Sequence, residues 1–346
     1  MKNSFEKEFN QIMSEEKEIP VKVRKTLDQS YDIIRAKSKK KKVNFIWKRV
    51  AAAACALIIT GVVMTNENVI ASISEFFNFG DKGIEQAINN GFIQNNNSSV
   101  TNQGIQITLD HHLSDANKVA FSFQLVFEDP SILKEVREVS LDYRLKNGDG
   151  EYIFEFIPDT KPLKGGNRYL SGLDDRNPLL DVKTGRIQYD VLAHSNEGVI
   201  PTLKDAVVEV ESVNVFYNTG DFKKIDGNWG LSLANKNKEK SNEIIQYAMK
   251  NQSSVIQVAK ADANPTSLNL TFSLDGIYEN ENNFMDMKIV DEDGNEYGTT
   301  SYSMSTQDNK TFISTNFQIT SYNKSKKLTL IIEGIGEVEL LRKSTE

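Results

Sequence analysis

The side chains that usually carry bond chemistry are scarce in this chain. One cysteine, Cys55, and three histidines, His111, His112 and His194, are all of their kinds among 346 residues. A lone cysteine makes no intramolecular disulfide, no CxxC redox pair and no cysteine-rich zinc site. His111 and His112 stand beside Asp110, but adjacent residues of a strand point to opposite faces. The pair therefore reads as a solvent-exposed strand end or turn rather than a ligand set. Asp291, Asp293 and Asn295 alternate in the manner of a calcium loop. An EF-hand loop wants Gly at its sixth position and Glu at its twelfth, whereas here Gly294 is fourth and Tyr302 twelfth. A hairpin turn accounts for these residues without metal. The sequence holds no GxSxG, HExxH or P-loop pattern. The expectation is a protein that is not an enzyme and carries no cofactor.

Charge is distributed very unevenly. Residues 1–49 hold 14 Lys/Arg against 7 Asp/Glu, and residues 65–346 hold 27 against 41. Between them, Val50 to Met64 is a run of fifteen uncharged residues, VAAAACALIITGVVM. A membrane-spanning helix needs roughly 20 apolar residues. The run becomes adequate if Thr65 is included, Lys48 and Arg49 snorkel to the interface, and Trp47 lies at headgroup level. A buried core helix and a signal peptide cleaved after Ala71 compete with this reading. Against cleavage, the basic segment ahead of the run is far too long for a signal peptide and is patterned like folded structure. The retained reading is an uncleaved transmembrane helix over 50–65, and Lys39 to Lys42 then place residues 1–49 in the cytoplasm and the C-terminus outside.

The cytoplasmic segment carries two apolar stripes at helical spacing. Phe5, Phe9, Ile12 and Met13 form the first; Val23, Leu27, Tyr31 and Ile34 form the second, with Pro20 suited to a helix's first turn. So small a helical pair cannot bury its stripes against itself. It either lies on anionic lipid or docks into a groove on a cytoplasmic protein. The lysine run has no interleaved aromatic residues, which argues against nucleic acid.

Beyond the apolar run, Val69 to Phe77 traces a helical stripe ending at Gly80, and a second short helix is predicted from Asp81 to Asn90, ended by Gly91. Asn95 to Ser99 reads as a polar loop. From Gly104 the period changes to two, with strands at 105–109, 119–127, 139–145, 152–154, 207–216 and 225–233. Residues 158–204 read as an irregular insertion with one or two strands. After a Lys/Asn/Glu linker at 235–242, strands are predicted near 253–261, 267–275, 284–290, 311–319, 327–333 and 337–342. The two stretches look related: Ile105 precedes Phe121 at the spacing that separates Ile256 from Phe272. The fold class expected is mainly β, with two extracellular immunoglobulin-like β-sandwich domains at 66–234 and 243–346.

Ile19-Pro20, the lysine run, one apolar segment and then SEFFNFGDKGIEQAINNGFIQ together resemble a family of Gram-positive single-pass membrane proteins. These carry an external domain of unknown function, often with a C-terminal immunoglobulin-like module, and are labelled negative effectors of extracytoplasmic-function sigma factors. The resemblance implies an anti-sigma factor whose partners are such a sigma factor, the membrane and a cell-envelope ligand. Zinc-binding anti-sigma domains use His and Cys, and residues 1–49 contain neither. The alternative is a structural or adhesive surface protein whose tail only anchors it.

Overall fold

The computed structural model describes residues 77–346 apart from 158–160, 234–243, 252–254, 279–283, 300 and 345–346. The predicted cytoplasmic pair, the segment 50–65, most of the stripe from Val69 and the linker at 235–242 lie outside the described residues. Among the described residues, no helix is long and apolar enough to cross a membrane. What is described is mainly β, in two lobes with separate cores.

One helix leads in. α1 (Lys82–Asn89) starts where the Asp81 carboxylate accepts from the Gly83 and Ile84 amides, and the chain leaves it through Gly91 at φ +74°. These are the signals that predict it. The stretch Phe77–Gly80 just before it is a turn, with Phe77 itself at positive φ.

The N-terminal lobe holds β1 (Gln94–Asn102), β2 (Ile105–Ser114), β3 (Lys118–Phe127), β4 (Val136–Lys146), β5 (Tyr152–Phe156), β6 (Gly172–Arg176), β7 (Leu180–Asp181), β8 (Arg186–His194), β9 (Val207–Tyr217) and β10 (Phe222–Ser232). All pairings are antiparallel, in two sheets ordered 1-2-3-8-6, with β7 beside β8, and 10-9-4-5. Inward residues of both sheets share one core, in which Phe121, Phe123, Tyr143, Phe154 and Tyr189 pack ring against ring. Trp229 on β10 is fully buried and donates its indole N–H to the Ile105 carbonyl on β2, tying one sheet to the other. Its ring folds back over Gly227, where a Cβ would sit 2.3 Å from Cη2.

The C-terminal lobe holds β11 (Ile245–Met249), β12 (Ile256–Ala263), β13 (Leu268–Asp275), β14 (Lys288–Asp291), β15 (Glu296–Gly298), β16 (Tyr302–Gln307), β17 (Lys310–Phe317), β18 (Lys327–Ile332) and β19 (Gly336–Arg342). Its order is 16-17-13-12-11-19-18-14-15. Set beside the first lobe, every ladder recurs: 1-2-3-8-6 becomes 11-12-13-17-16, and 10-9-4-5 becomes 19-18-14-15. β7 alone has no counterpart. In the second lobe β11 pairs both β12 and β19, joining the two layers into one sheet. In the first, β1 pairs β2 and reaches β10 through side chains, Asn96 donating to the Ser232 carbonyl and Ser98 accepting from the Ser232 amide.

The predicted repeat is therefore present but shifted. A bulge opposite Phe123 and Ser122 on β2 recurs on β12 opposite Phe272 and Thr271. This makes Leu109 the equivalent of Val258 and Ile107, not Ile105, that of Ile256.

Three further expectations are corrected. Asn95 to Ser99 is not a loop but part of β1, an edge strand bulged at Asn97, whose φ is +55°. The insertion at 158–204 contains three strands, of which β8 is central. β11, β15 and β16 were not foreseen, being short or lacking apolar alternation.

The indole contact yields the first prediction. Gly227→Ala must displace a fully buried indole and should cost about 1–3 kcal/mol, and Trp229→Ala about 3–5 kcal/mol. Urea denaturation followed by circular dichroism checks both; an unchanged midpoint for Gly227→Ala would contradict the packing described.

Candidate functional site

The apolar face of α1, with Ile84 and Ile88 buried, packs with Phe77 on the outer face of the first sheet, against Leu113, Ala120 and Leu192. The Phe77 amide is held by Asp190 of β8, which also accepts from Ser122 and Gln188 and lies 3.5 Å from Arg176. Burial pushes the Asp190 carboxyl above its usual range despite these bonds. Arg176 in turn donates to the Asn78 carbonyl and covers the Phe79 ring. The segment Phe77–Asp81 is thus a strap bound across the first sheet.

Downstream of the strap, both lobes meet through polar groups. Asp81 pairs with Lys118, a buried residue at the start of β3. Asp115, in the β2–β3 turn, is buried and accepts four hydrogen bonds. Its Oδ1 takes the amides of Asn117 and Lys118, and its Oδ2 takes the Thr266 amide and hydroxyl across the junction. Desolvation raises its pKa and these donors oppose the rise. The Asn117 amide group donates to the Ser267 carbonyl at 2.9 Å. Asn269 and Asn316 donate to the carbonyls of Asn196 and Ser195, both at 2.6 Å. α1 joins in: Thr320 donates to Gln86, and Gly83 lies so close to the Thr266 carbonyl that a Cβ would be 2.0 Å from it.

A cavity of about 140 Å³ opens where strap and lobes converge, lined by Asp81, Lys118, Asp174, His194, Ser301 and Asn316 together with apolar side chains. The His194 pKa is lowered, chiefly by burial, with Lys118 adding to the effect and Asp174 and Asp81 opposing it.

The histidine pair is not the exposed strand end expected from sequence. Both residues lie within β2; His112 is 2% exposed and pairs with Phe121, while His111 pairs with Ser122 on the opposite face. Desolvation lowers the pKa of each to about 4, and His111 adds to the shift at His112. Asp110 beside them is raised to about 6 by burial. Among the described residues, no group of three His, Cys, Asp or Glu side chains is placed to hold a metal. The Asp291 carboxylate accepts from the amides of Asp293 and Asn295, the Asn295 side chain and the Tyr297 hydroxyl. It serves its own hairpin turn.

None of the residues assigned from sequence to partner binding or membrane anchoring, Phe5 to Ile34 and Trp47 to Arg49, lies among the described residues. The junction residues were missed because Asp, Asn, Ser and Thr between strands read as ordinary turn formers. Their signal was the recurrence of such turns, Asp115-Ala116-Asn117-Lys118 and Asn264-Pro265-Thr266-Ser267, at equivalent places of the repeat.

Residues 40–126 match a family described as a domain of unknown function, DUF4179. The matched span runs from the lysine run through the apolar segment and α1 to β3. Among solved structures, the chain is similar to the crystal structure of a conserved domain protein from Bacillus anthracis. The two share 15% identity at a TM-score of 0.41, over 69% of this chain and 77% of that one. No curated protein matches the chain.

Two predictions follow from the burial of these groups. Asp115→Ala leaves its four donors without their acceptor and should cost about 2–4 kcal/mol. Hydrogen exchange should then rise selectively at 264–268 and 115–118; uniform exchange would show that the junction does not depend on this carboxylate. The second concerns acid. A histidine whose folded pKa is depressed contributes stability above its unfolded value of 6.5, and loses it as pH falls toward the folded value of about 4. His112→Gln should therefore reduce the fall in melting temperature between about pH 6.5 and 4.5. Equal falls in variant and parent would refute the assignment.

Proposed function

We propose that the chain is a single-pass membrane regulator, with residues 1–49 cytoplasmic, 50–65 spanning the bilayer and both β lobes outside. The observation that carries this reading is the reversal of charge around an uncharged run: 14 Lys/Arg against 7 Asp/Glu before it, 27 against 41 after it. Basic residues are retained on the cytoplasmic side of a membrane helix. The family match supports the same arrangement, because its span of 40–126 takes in the run and the beginning of the first lobe. In each lobe, antiparallel layers enclosing one core support an immunoglobulin-like sandwich.

The cytoplasmic stripes, Phe5, Phe9, Ile12, Val23, Leu27, Tyr31 and Ile34, would occupy the polymerase-binding surface of an extracytoplasmic-function sigma factor. The resemblance to negative effectors of such factors supports that role. The lobes would bind a ligand in the envelope. The described chemistry suits binding rather than catalysis, since the buried acids at the junction are engaged in hydrogen bonds that join chain segments. The strap gives an external event a route to the membrane: Phe77 is the twelfth residue after Thr65, and it is bonded to the first lobe beside the junction.

Protease added to intact, wall-stripped cells should digest the lobes and leave a small protected N-terminal fragment; a protected C-terminus would reverse the topology. In a pull-down, residues 1–45 should retain a sigma factor encoded in the same operon. Leu27→Asp, which puts a charge into a desolvated contact, should weaken retention at least about a hundredfold. If the unaltered fragment fails to bind, or both bind equally, residues 1–49 are the plain anchor of a structural or adhesive surface protein.

A further inference from the structure

The cavity at the junction has the form of a small ligand site. At about 140 Å³ it is well below the ~300 Å³ where pockets for drug-sized molecules begin, so its occupant must be small. Its walls divide by chemistry. Phe79, Leu192 and Phe317 supply an apolar side, and one comes from the strap, one from each lobe.

The buried polar wall offers one hydrogen-bond donor and one acceptor with capacity unused. Lys118 is 4% exposed; its ammonium makes one short bond to Asp81 and a long one of 3.4 Å to the Thr266 carbonyl. Its third N–H has no partner among the described residues. Ser301 gives its hydroxyl hydrogen to the Asn196 side-chain oxygen, so His194 donates to Ser301 through Nε2–H at 3.2 Å, and its Nδ1, with no hydrogen-bond partner among the described residues, is left as an acceptor. The imidazole packs against Gly172, where a Cβ would come within 2.3 Å of Cε1. A glycine in strand β6 is thus what allows the ring to face the cavity. At the mouth stands Asp174, exposed, close enough to His194 to influence it, and making no hydrogen bond among the described residues.

The free N–H of Lys118 suits a carboxylate, the Asp174 carboxylate and the His194 acceptor suit an ammonium, and the apolar side suits a short hydrocarbon branch. We propose that this cavity binds a small zwitterion, an amino acid with a short aliphatic side chain, and that the bound molecule joins the strap to both lobes. Its carboxylate lies toward Lys118, and its ammonium toward His194 and Asp174. The proposal deepens the sensing role and rests on it for its consequence in the cell, whereas binding itself is measurable without membrane or sigma factor.

The test uses the purified full chain in detergent, with calorimetry and thermal denaturation. The probes are glycine, both enantiomers of alanine and of valine, alaninamide, which lacks the carboxylate, and N-acetylalanine, which lacks the ammonium. At least one free amino acid should bind with a dissociation constant between ~10 µM and ~1 mM and raise the melting temperature. For the alanine enantiomer that binds, each blocked derivative should be at least about tenfold weaker. Asp174→Asn should weaken the amino acid by a similar factor and leave N-acetylalanine unaffected. Gly172→Ala, which moves the imidazole, should weaken the amino acid more than N-acetylalanine. No heat and no thermal shift with any free amino acid at about 10 mM overturns the proposal. So does equal binding of free and blocked alanine, or an Asp174→Asn variant that binds as the parent does. Each of these results leaves the topology and sigma-factor experiments standing, and their failure would leave zwitterion binding standing.

Discussion

The relation between the lobes depends on one buried carboxylate. Asp115 closes its own turn with one oxygen and holds Thr266 of the other lobe with the second. Taking a carboxylate out of water costs several kcal/mol unless its lone pairs are filled, and here four donors fill them. Bonds of this kind are directional, so they are all made in one arrangement of the two turns. An apolar contact of equal area would tolerate sliding. Around this centre Asn117, Asn269 and Asn316 add further side-chain bonds to backbone carbonyls of the opposite lobe.

The strap adds a third party to that arrangement. Asp81 is at once the N-cap of α1 and the partner of Lys118, and Lys118 follows the turn that Asp115 closes. A displacement of Phe77–Asp81 would therefore break the Asp190 bond, uncap α1 and leave a buried ammonium without its counter-charge. Each loss is costly in a desolvated setting, which makes the three pieces move together or not at all. This coupling is what a signal passing between the lobes and the preceding chain would require.

Much of the fold was legible because its elements obey local rules. Asp81 and Gly91 bracket α1, and alternation marks the long strands, whose inward residues face the core of their own lobe. What was missed lay where one residue type serves two purposes. The asparagines of β1 read as a loop, yet one of them supplies the left-handed bulge and another reaches across to β10. The repeat was seen two residues out of place, because strands have a period of two and a slip of two leaves every apolar residue on its proper face. The bulge, which fixes the register, leaves no trace in the apolar pattern. At the junction, hydrogen-bonding residues in turns looked like turn formers, and only the opposing lobe reveals their second use.

The repeat also explains how two copies of one topology came to fit each other. Leu113, Ala120 and Leu192 lie side by side across β2, β3 and β8. Their equivalents across β12, β13 and β17 are Asp262, Asn269 and Asn316, paired in the same register. The first triplet is apolar and seats the buried face of α1. In the second, Asn269 and Asn316 seat the backbone of Ser195 and Asn196 from the other lobe. Had the second triplet stayed apolar, the carbonyls of Ser195 and Asn196 would be buried without these donors, at roughly 1–3 kcal/mol each. Had the first become polar, α1 would have lost its apolar floor, and with it the position of Asp81 and the strap. Divergence at one patch of a repeated sheet, apolar toward the helix and polar toward the neighbouring lobe, is what turns two similar lobes into a single unit.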